Sequence, residues 1–230
     1  MPLFVVASPI GNPGDWSARA HHTLSQCSVI IGEEPKALRG QLKTLGLLAK
    51  PQRHLNEHSD RQCVVELAEL CEVENVALLS DCGTPGLCDP GASLLNECFL
   101  RGVRVVPIPG VSSLTALLSL SPIAMPTFFF RGFLPAKTEL RSQAFNELKV
   151  FLKTKTPVVL MDTPYRLHRF VRELSEHYPD HFALFGVRLT QAEERVFFQK
   201  MKVLVTQLEK TKAEFISILY PKNSGRTLKR

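Results

Sequence analysis

Apolar residues in the first half of the chain fall into short β-branched runs separated by longer stretches with helical spacing. Leu3 to Ala7, Val29 to Gly32, Val76 to Ser80 and Val103 to Ile108 have the length and composition of buried strands. Between them, Asp15 to Cys27, Pro35 to Leu45, Asp60 to Val73 and Pro90 to Arg101 carry apolar residues at helical intervals, as Val64, Leu67, Ala68 and Cys71 do. A further helix is predicted over Val111 to Leu120, behind Pro109-Gly110. Strand and helix in alternation predict βαβ units and a mainly parallel sheet, because parallel neighbours need a long crossover. Pro122 and Pro126 interrupt the pattern between Ser121 and Pro126, and a domain boundary is expected there. Strands then resume at Thr127 to Gly132, Val158 to Asp162, Phe182 to Arg188 and Glu214 to Tyr220, with helices over Thr138 to Lys153, Pro164 to His177 and Met201 to Thr211. The expected fold class is α/β: two α/β domains, residues 1–121 and 122–230, the first with a mainly parallel sheet and the second with a mixed one.

Composition narrows the class of protein. A chain of 230 residues with 44% hydrophobic content can fill two modest cores. Its longest apolar stretches fall far short of the roughly 20 residues that span a bilayer. The N-terminus Met1-Pro2-Leu3-Phe4 has no basic region ahead of its apolar run. A cytoplasmic protein with no membrane association is expected. The 6 cysteines form no C-x-x-C pair and are expected to be reduced thiols. Lys and Arg exceed Asp and Glu by 28 to 22, a net charge of +6, which favours a polyanionic partner; a solvated basic surface is the other reading.

The glycine and proline clusters are not scattered. Ser8-Pro9-Ile10-Gly11-Asn12-Pro13-Gly14, Asp81-Cys82-Gly83-Thr84-Pro85-Gly86 and Pro107-Ile108-Pro109-Gly110-Val111-Ser112-Ser113 each follow a predicted strand, and the acidic pair Glu33-Glu34 follows another. Ligands of open α/β sheets bind outside the carboxyl ends of the strands, so these loops predict a ligand crevice rather than ordinary turns. No G-x-G-x-x-G, G-x-x-x-x-G-K-[ST] or G-x-S-x-G occurs, which disfavours dinucleotide enzymes, kinases and serine hydrolases. His54-Leu55-Asn56-Glu57-His58 matches the H-x-x-E-H pattern of certain zinc peptidases. That chemistry needs both histidines on one helix face, whereas this segment sits ahead of the helix predicted from Asp60, so a polar loop without metal is expected.

In this order the loops resemble those of the tetrapyrrole methylase superfamily, the class III methyltransferases, and within it the group that methylates small-subunit ribosomal RNA. Val6-Ala7-Ser8-Pro9-Ile10-Gly11-Asn12 corresponds to V-A-T-P-I-G-N, Ser80 to Gly91 to S-D-A-G-T-P-G-I-S-D-P-G, and Pro107 to Ser113 to P-I-P-G-P-S-A. In the second half Gly132-Phe133-Leu134-Pro135 matches G-F-L-P, Thr163 to Leu167 resembles S-P-H-R-L, and Arg188-Leu189-Thr190 resembles R-E-L-T. The chain departs from the group at Glu33-Glu34-Pro35-Lys36 (E-D-T-R), at His54 to Ser59 (Y-H-E-H-N) and at Asp162-Thr163-Pro164 (E-S-P), and longer members carry a C-terminal extension beyond this length.

The resemblance implies transfer of a methyl group from S-adenosyl-L-methionine held in the cleft between the domains. It implies that Ile10, Asp81, Cys82, Gly83, Leu87, Ser112, Ser113, Met161 and Leu189 line the cofactor pocket. A ribose hydroxyl is a weak nucleophile at neutral pH, so a base or orienting group is expected near it. Glu33 and Glu34 are the candidates, with Lys36 as a phosphate or alkoxide partner; their alternative role is complementing the dipole of the following helix. For RNA, Arg131, Arg166 and Arg169 are the expected substrate contacts. They belong to basic clusters that include Arg172, Lys137 and Arg141, and a basic tail of Lys222, Arg226, Lys229 and Arg230. Acidic neighbours such as Glu139 and Glu173 leave a solvated helix face as the alternative. The expected partners are the small ribosomal subunit and a second copy of the chain, since Phe128, Phe129 and Phe130 put aromatics on both faces of one strand; burial in that domain's own core is the other reading. Methylation of a small tetrapyrrole, and a cofactor-binding regulatory protein without catalysis, are the competing functions.

Overall fold

The computed structural model describes residues 1–208, 210–222 and 224. It divides into two units, Met1–Ser112 and Ser113–Arg230. The break lies ahead of the proline-bearing segment expected to carry it. The helix α5 (Ser113–Ser119) belongs with the second unit, where it packs on β10 (Phe215–Leu219) and buries Leu117.

The first unit is a five-stranded sheet of β1 (Pro2–Val6), β2 (Val29–Gly32), β3 (Gln52–His54), β4 (Val76–Leu79) and β5 (Arg104–Ile108) in the order β3-β2-β4-β1-β5, with every pair parallel. From β1 the chain steps across the sheet to β2 and β3, then returns through β4 to β5. Right-handed crossovers therefore place the outgoing and returning helices on opposite faces. The cores agree. Val6, Ile30, Ala77 and Leu79 pack with α1 (Ala18–Gln26) and α2 (Pro35–Thr44), while Leu3, Val29, Ile31, Val76 and Leu78 pack with α3 (Arg61–Val73) and α4 (Gly91–Leu100). Alternate residues of the inner strands β2 and β4 are thus buried on both faces, which is why they read as unbroken apolar runs. Helix starts obey local capping chemistry: Ser17 Oγ accepts from Ala20 N at 3.0 Å and Asp60 Oδ1 from Cys63 N at 2.8 Å. The strand β3 was not foreseen, because a short polar edge strand shows no alternation.

The second unit holds a mixed sheet in the order β6-β7-β10-β8-β9. Its strands are β6 (Phe129–Phe133), β7 (Val158–Asp162), β8 (Phe182–Val187), β9 (Arg195–Lys200) and β10, and only the β6–β7 pair is parallel. Its core takes residues from α6 (Thr138–Lys153), α7 (Leu167–His177) and α8 (Met201–Leu208). The edge strand β9 was also unforeseen; it leaves Arg195 and Val196 exposed and so lacks a buried face to read. Phe129 stacks on Phe151 at 3.9 Å between centroids, inside this unit's own core, and Phe128 stays exposed. Among the described residues no helix is long and apolar enough to cross a membrane.

One polar group organises this unit. Arg141 on α6 is 2% exposed. Its Nη1 and Nη2 donate to Asp162 Oδ2 at 3.1 and 3.2 Å, Nη1 also to Pro135 O at 3.1 Å, and Nε to Glu173 Oε2 at 2.6 Å. The guanidinium joins the end of β7, helix α7 and the Gly132–Pro135 turn. Its burial corrects the expectation that Arg141 belongs to an RNA-facing cluster. Arg226, Lys229 and Arg230 of the expected basic tail lie outside the described residues. Arg141→Ala would strip the buried Oδ2 of Asp162 of both its donors, leaving the carboxylate only the longer Arg166 contact and the Thr163 amide at Oδ1, and a loss of about 3–5 kcal/mol in unfolding free energy is expected. Urea denaturation of the variant checks this, and a loss below about 1 kcal/mol would show that the network carries no weight.

Candidate active site

The carboxyl edge of the first sheet has a topological switch between β1 and β4, since the helices leaving these neighbours go to opposite faces. Pairing of Val6 with Leu79 brings the loops after the two strands side by side. Ser8, 1% exposed, bridges them. Its Oγ donates to Ser80 O at 3.0 Å and accepts from Gly83 N at 3.1 Å, while its own N donates to Gly83 O at 2.8 Å. Further along, Thr84 Oγ1 donates to Val111 O at 3.1 Å, tying the β4 loop to the β5 loop. The Asp89 carboxylate accepts from Gly86 N at 2.8 Å and Gly91 N at 2.9 Å, folding Gly86–Gly91 onto the start of α4. The motif residues Ser8, Thr84 and Asp89 are therefore the internal staples of the loops. Gly83 has φ +85°, and an added Cβ would lie 3.2 Å from Ile10 Cγ2, so both the backbone conformation and the close approach call for glycine.

These loops and α2 enclose an open groove of about 740 Å³. Its lining combines the apolar Pro9, Ile10 and Trp16 with the polar Glu34, Lys36, Gln41, Asp81 and Cys82. The structure thus brings Ile10, Asp81, Cys82, Glu34 and Lys36 into one place, with Gly83 packed against Ile10. Asp81 Oδ1 accepts from Glu34 N at 3.1 Å, which fixes the start of α2 against the β4 loop. Gln41 Nε2 reinforces this by donating to Ser80 O at 3.1 Å and Asp81 O at 2.8 Å. Neither Gln41 nor Trp16 was singled out from sequence. Trp16 could have been, as the chain's 1 tryptophan directly behind a glycine–proline loop.

Glu33 takes the other side. Alternation along β2 carries it to the face of Ile31, where it meets Leu55, Ser80, Asp89 and Pro90. Its carboxyl is raised above the ordinary range, first by burial and then by the charges of Asp81, Asp89, Glu57 and Glu34. Asp81 is also raised, mainly by burial, although the hydrogen bond from Glu34 N pulls the other way. The edge is therefore a concentrated acidic field. Glu34 is the N-cap residue of α2 and makes no side-chain cap bond. His54 lies on β3, whereas Glu57 and His58 lie in the following turn with exposed side chains, so the two imidazoles do not share a helix face.

The remaining expected residues spread further. Leu87 sits half-buried on the outer turn of the β4 loop and Ser112 closes the first unit. In the second unit Ser113 opens α5. Met161 of β7 pairs with Ile216 of β10, which pairs in turn with Gly186 of β8. Leu189 folds back on that row: a Cβ on Gly186 would come within 2.8 Å of its Cδ2. Arg188 and Thr190 on either side have φ of 52° and 66°, a strained turn of the kind that persists where a site demands it. The expected RNA-contacting arginines are engaged with carboxylates: Arg131 with Glu147 at 3.5 Å, Arg166 with Asp162 at 3.4 Å and Arg169 with Glu173 at 2.8 Å. Arg166 and Arg169 nonetheless leave 38% and 41% of their side chains open to solvent.

Residues 2–204 match the family model of Tetrapyrrole (Corrin/Porphyrin) Methylases. The chain is 33% identical over 218 residues to a ribosomal RNA small subunit methyltransferase I of Leptospira biflexa, covering 94% of this chain and 90% of that protein. It is 32% identical to the protein of that name in Borrelia garinii subsp. bavariensis, covering 97% of this chain and 100% of the other. Among solved structures it resembles a diphthine synthase (TM-score 0.75, 17% identity, 96% and 89% of the chains covered). It also resembles the uroporphyrin-III C-methyl transferase of Thermus thermophilus complexed with S-adenosyl homocysteine (TM-score 0.65, 17% identity, 99% and 100% covered). These last two likenesses are of fold. With its loop motifs, sheet order and residues 2–204 all in agreement, the chain belongs to the tetrapyrrole methylase family, the class III methyltransferases that use S-adenosyl-L-methionine.

Proposed function

We propose that the chain methylates the ribose 2′-oxygen of a cytidine in the 16S RNA of the small ribosomal subunit. The observation that carries this reading is similarity over nearly the whole chain, 94% and 97% of it, to proteins named as small-subunit ribosomal RNA methyltransferases. The ribose oxygen is the target that the motif resemblance implies.

The residues at the groove fit a cationic nucleoside cofactor. Ile10 and Trp16 offer an apolar wall for a purine ring, and Asp81 and Glu34 place carboxylates where positive centres gain from them. When bound, S-adenosyl-L-methionine supplies an electrophilic methyl group on a sulfonium. What the chain adds is chiefly position, because holding two reactants in line removes an entropic cost worth several kcal/mol. The hydroxyl must lose its proton as it attacks. Glu34, which lines the groove together with Lys36, is the carboxylate placed to accept it, and Lys36 is placed to meet a phosphate.

The cofactor assignment is tested at Gly83. A leucine at φ +85° costs about 1–2 kcal/mol in backbone strain and drives its side chain at Ile10. Gly83→Leu is expected to lose S-adenosyl-L-methionine binding in calorimetry while circular dichroism reports a retained fold; parent-like affinity would remove this loop from the site.

Glu34→Gln tests the chemistry and is expected to lower kcat by roughly a hundredfold or more with cofactor affinity unchanged, whereas Glu33→Gln reads the stability of this edge. Because the folded protein holds this carboxyl above its unfolded value, Glu33 favours folding only while protonated, and that contribution disappears as pH rises through its raised titration. The variant should therefore melt above the parent at pH 7, and the two curves should converge below about pH 4. Equal melting at pH 7 would show that Glu33 is not held in an unfavourable charged state.

The substrate is decided by incubating small ribosomal subunits with methyl-labelled cofactor and mapping the product. Label in a cytidine ribose is expected. Transfer to a porphyrinoid and none to subunits would overturn the reading.

A further inference from the structure

The second unit has a cavity of about 450 Å³ that the reading above does not use. It lies where β7 and β8 begin and β10 ends, at the opposite end of this sheet from Met161 and Leu189. Its floor is apolar and aromatic. Phe145, Leu152 and Tyr178 are buried there, and the His177 ring lies stacked on Phe145 with centroids 4.4 Å apart. Its rim is cationic: Lys149, Lys153, Lys155 and Lys222 all line it, and among the described residues no carboxylate does.

The arrangement is not explained by internal pairing. Lys149, Lys153 and Lys155 form no salt bridge among the described residues, and Lys149 and Lys153 stand one helical turn apart, a like-charge spacing that costs free energy in an isolated helix. Lys155 follows the end of α6 with φ 61°, a left-handed position that glycine usually occupies and where a lysine is strained. His181, also in the lining, has a buried Nδ1 with no hydrogen-bond partner among the described residues. A buried polar atom of that kind normally finds a protein group, a water or a ligand. The nearby acid Asp180 is engaged by Lys202 at 3.0 Å.

We propose that this pocket is a second anchor for the RNA substrate, in which the lysine rim holds the phosphates of a single-stranded segment and the aromatic floor receives one of its bases. The pairing of backbone cations with a stacking surface is what single-stranded nucleic acid requires, and the cavity has room for one nucleotide. The inference rests on the proposed ribosomal RNA substrate and adds where that substrate is gripped, away from the end of the sheet that carries Met161 and Leu189.

The test compares the parent, Lys149→Glu with Lys153→Glu, and a control with the same change of net charge elsewhere, Arg61→Glu with Arg104→Glu. A fluorescent single-stranded RNA oligonucleotide is titrated across a range of salt, and methyl transfer to small subunits is measured alongside. The lysine variant is expected to bind about tenfold more weakly at low salt, with a log–log salt slope shallower by about 1.4 for two phosphate contacts at about 0.7 each. Its transfer to subunits should show a raised KM and an unchanged kcat. Parent-like affinity, slope and KM in the lysine variant, or an equal loss in the control, would overturn the anchor while leaving the substrate assignment standing. Oligonucleotide binding that depends on the lysines, without any transfer to subunits by the parent, would support the pocket and overturn the assignment. A parent that neither binds the oligonucleotide nor methylates subunits would overturn both.

Discussion

The active edge of the first unit depends on one buried serine. Ser8 satisfies the carbonyl of Ser80 just past β4, an amide of the loop behind it and, through its own backbone, the carbonyl of Gly83. A buried amide or carbonyl left without a partner costs about 1–3 kcal/mol, so two glycine-rich loops at a sheet edge hold one conformation only if such groups are met internally. A hydroxyl on a short side chain is small enough to fit between adjacent parallel strands. Once the loops are joined, the rest follows by contact: Gly83 supports Ile10, Asp81 receives the amide of Glu34, and Gln41 ties α2 to the same loop. The groove is the space these bonds leave.

The second unit solves a different problem. Its sheet is mixed and its helices lie against it without a glycine-rich edge, so a buried guanidinium gathers β7, α7 and the Gly132–Pro135 turn instead. A planar group with several donors can satisfy several acceptors in one position, which a lysine cannot do. The same network explains the modest freedom of Arg166 and Arg169. Each shares a carboxylate with Arg141, and their charge is partly spent before any phosphate arrives.

Charge is thus distributed by unit. Acidic groups gather at the carboxyl edge of the first sheet, where Glu33 and Asp81 are both pushed toward the protonated form. Lysines gather at one end of the second sheet. A net charge of +6 describes neither, because it averages a field suited to a cationic cofactor with one suited to an anionic polymer.

Much of this was legible in the chain itself. Strands buried on both faces announce themselves as apolar runs, helices by spacing and caps, and the loops after β1, β4 and β5 by clustered glycine and proline whose backbone conformations few other residues adopt. The loop motifs also carried the family. Sequence could not show which residues of a motif face a ligand: alternation along β2 separates Glu33 from Glu34, but only the packed helices reveal that one faces Asp89 and the other the groove. Nor could it distinguish Arg141 from its exposed neighbours, since burial of a charge is decided by partners distant in the chain, Asp162 and Glu173. The polar edge strands β3 and β9 and the lysine-rimmed pocket belong to the same class. Local pattern records what one segment prefers, and these features exist only where several segments meet.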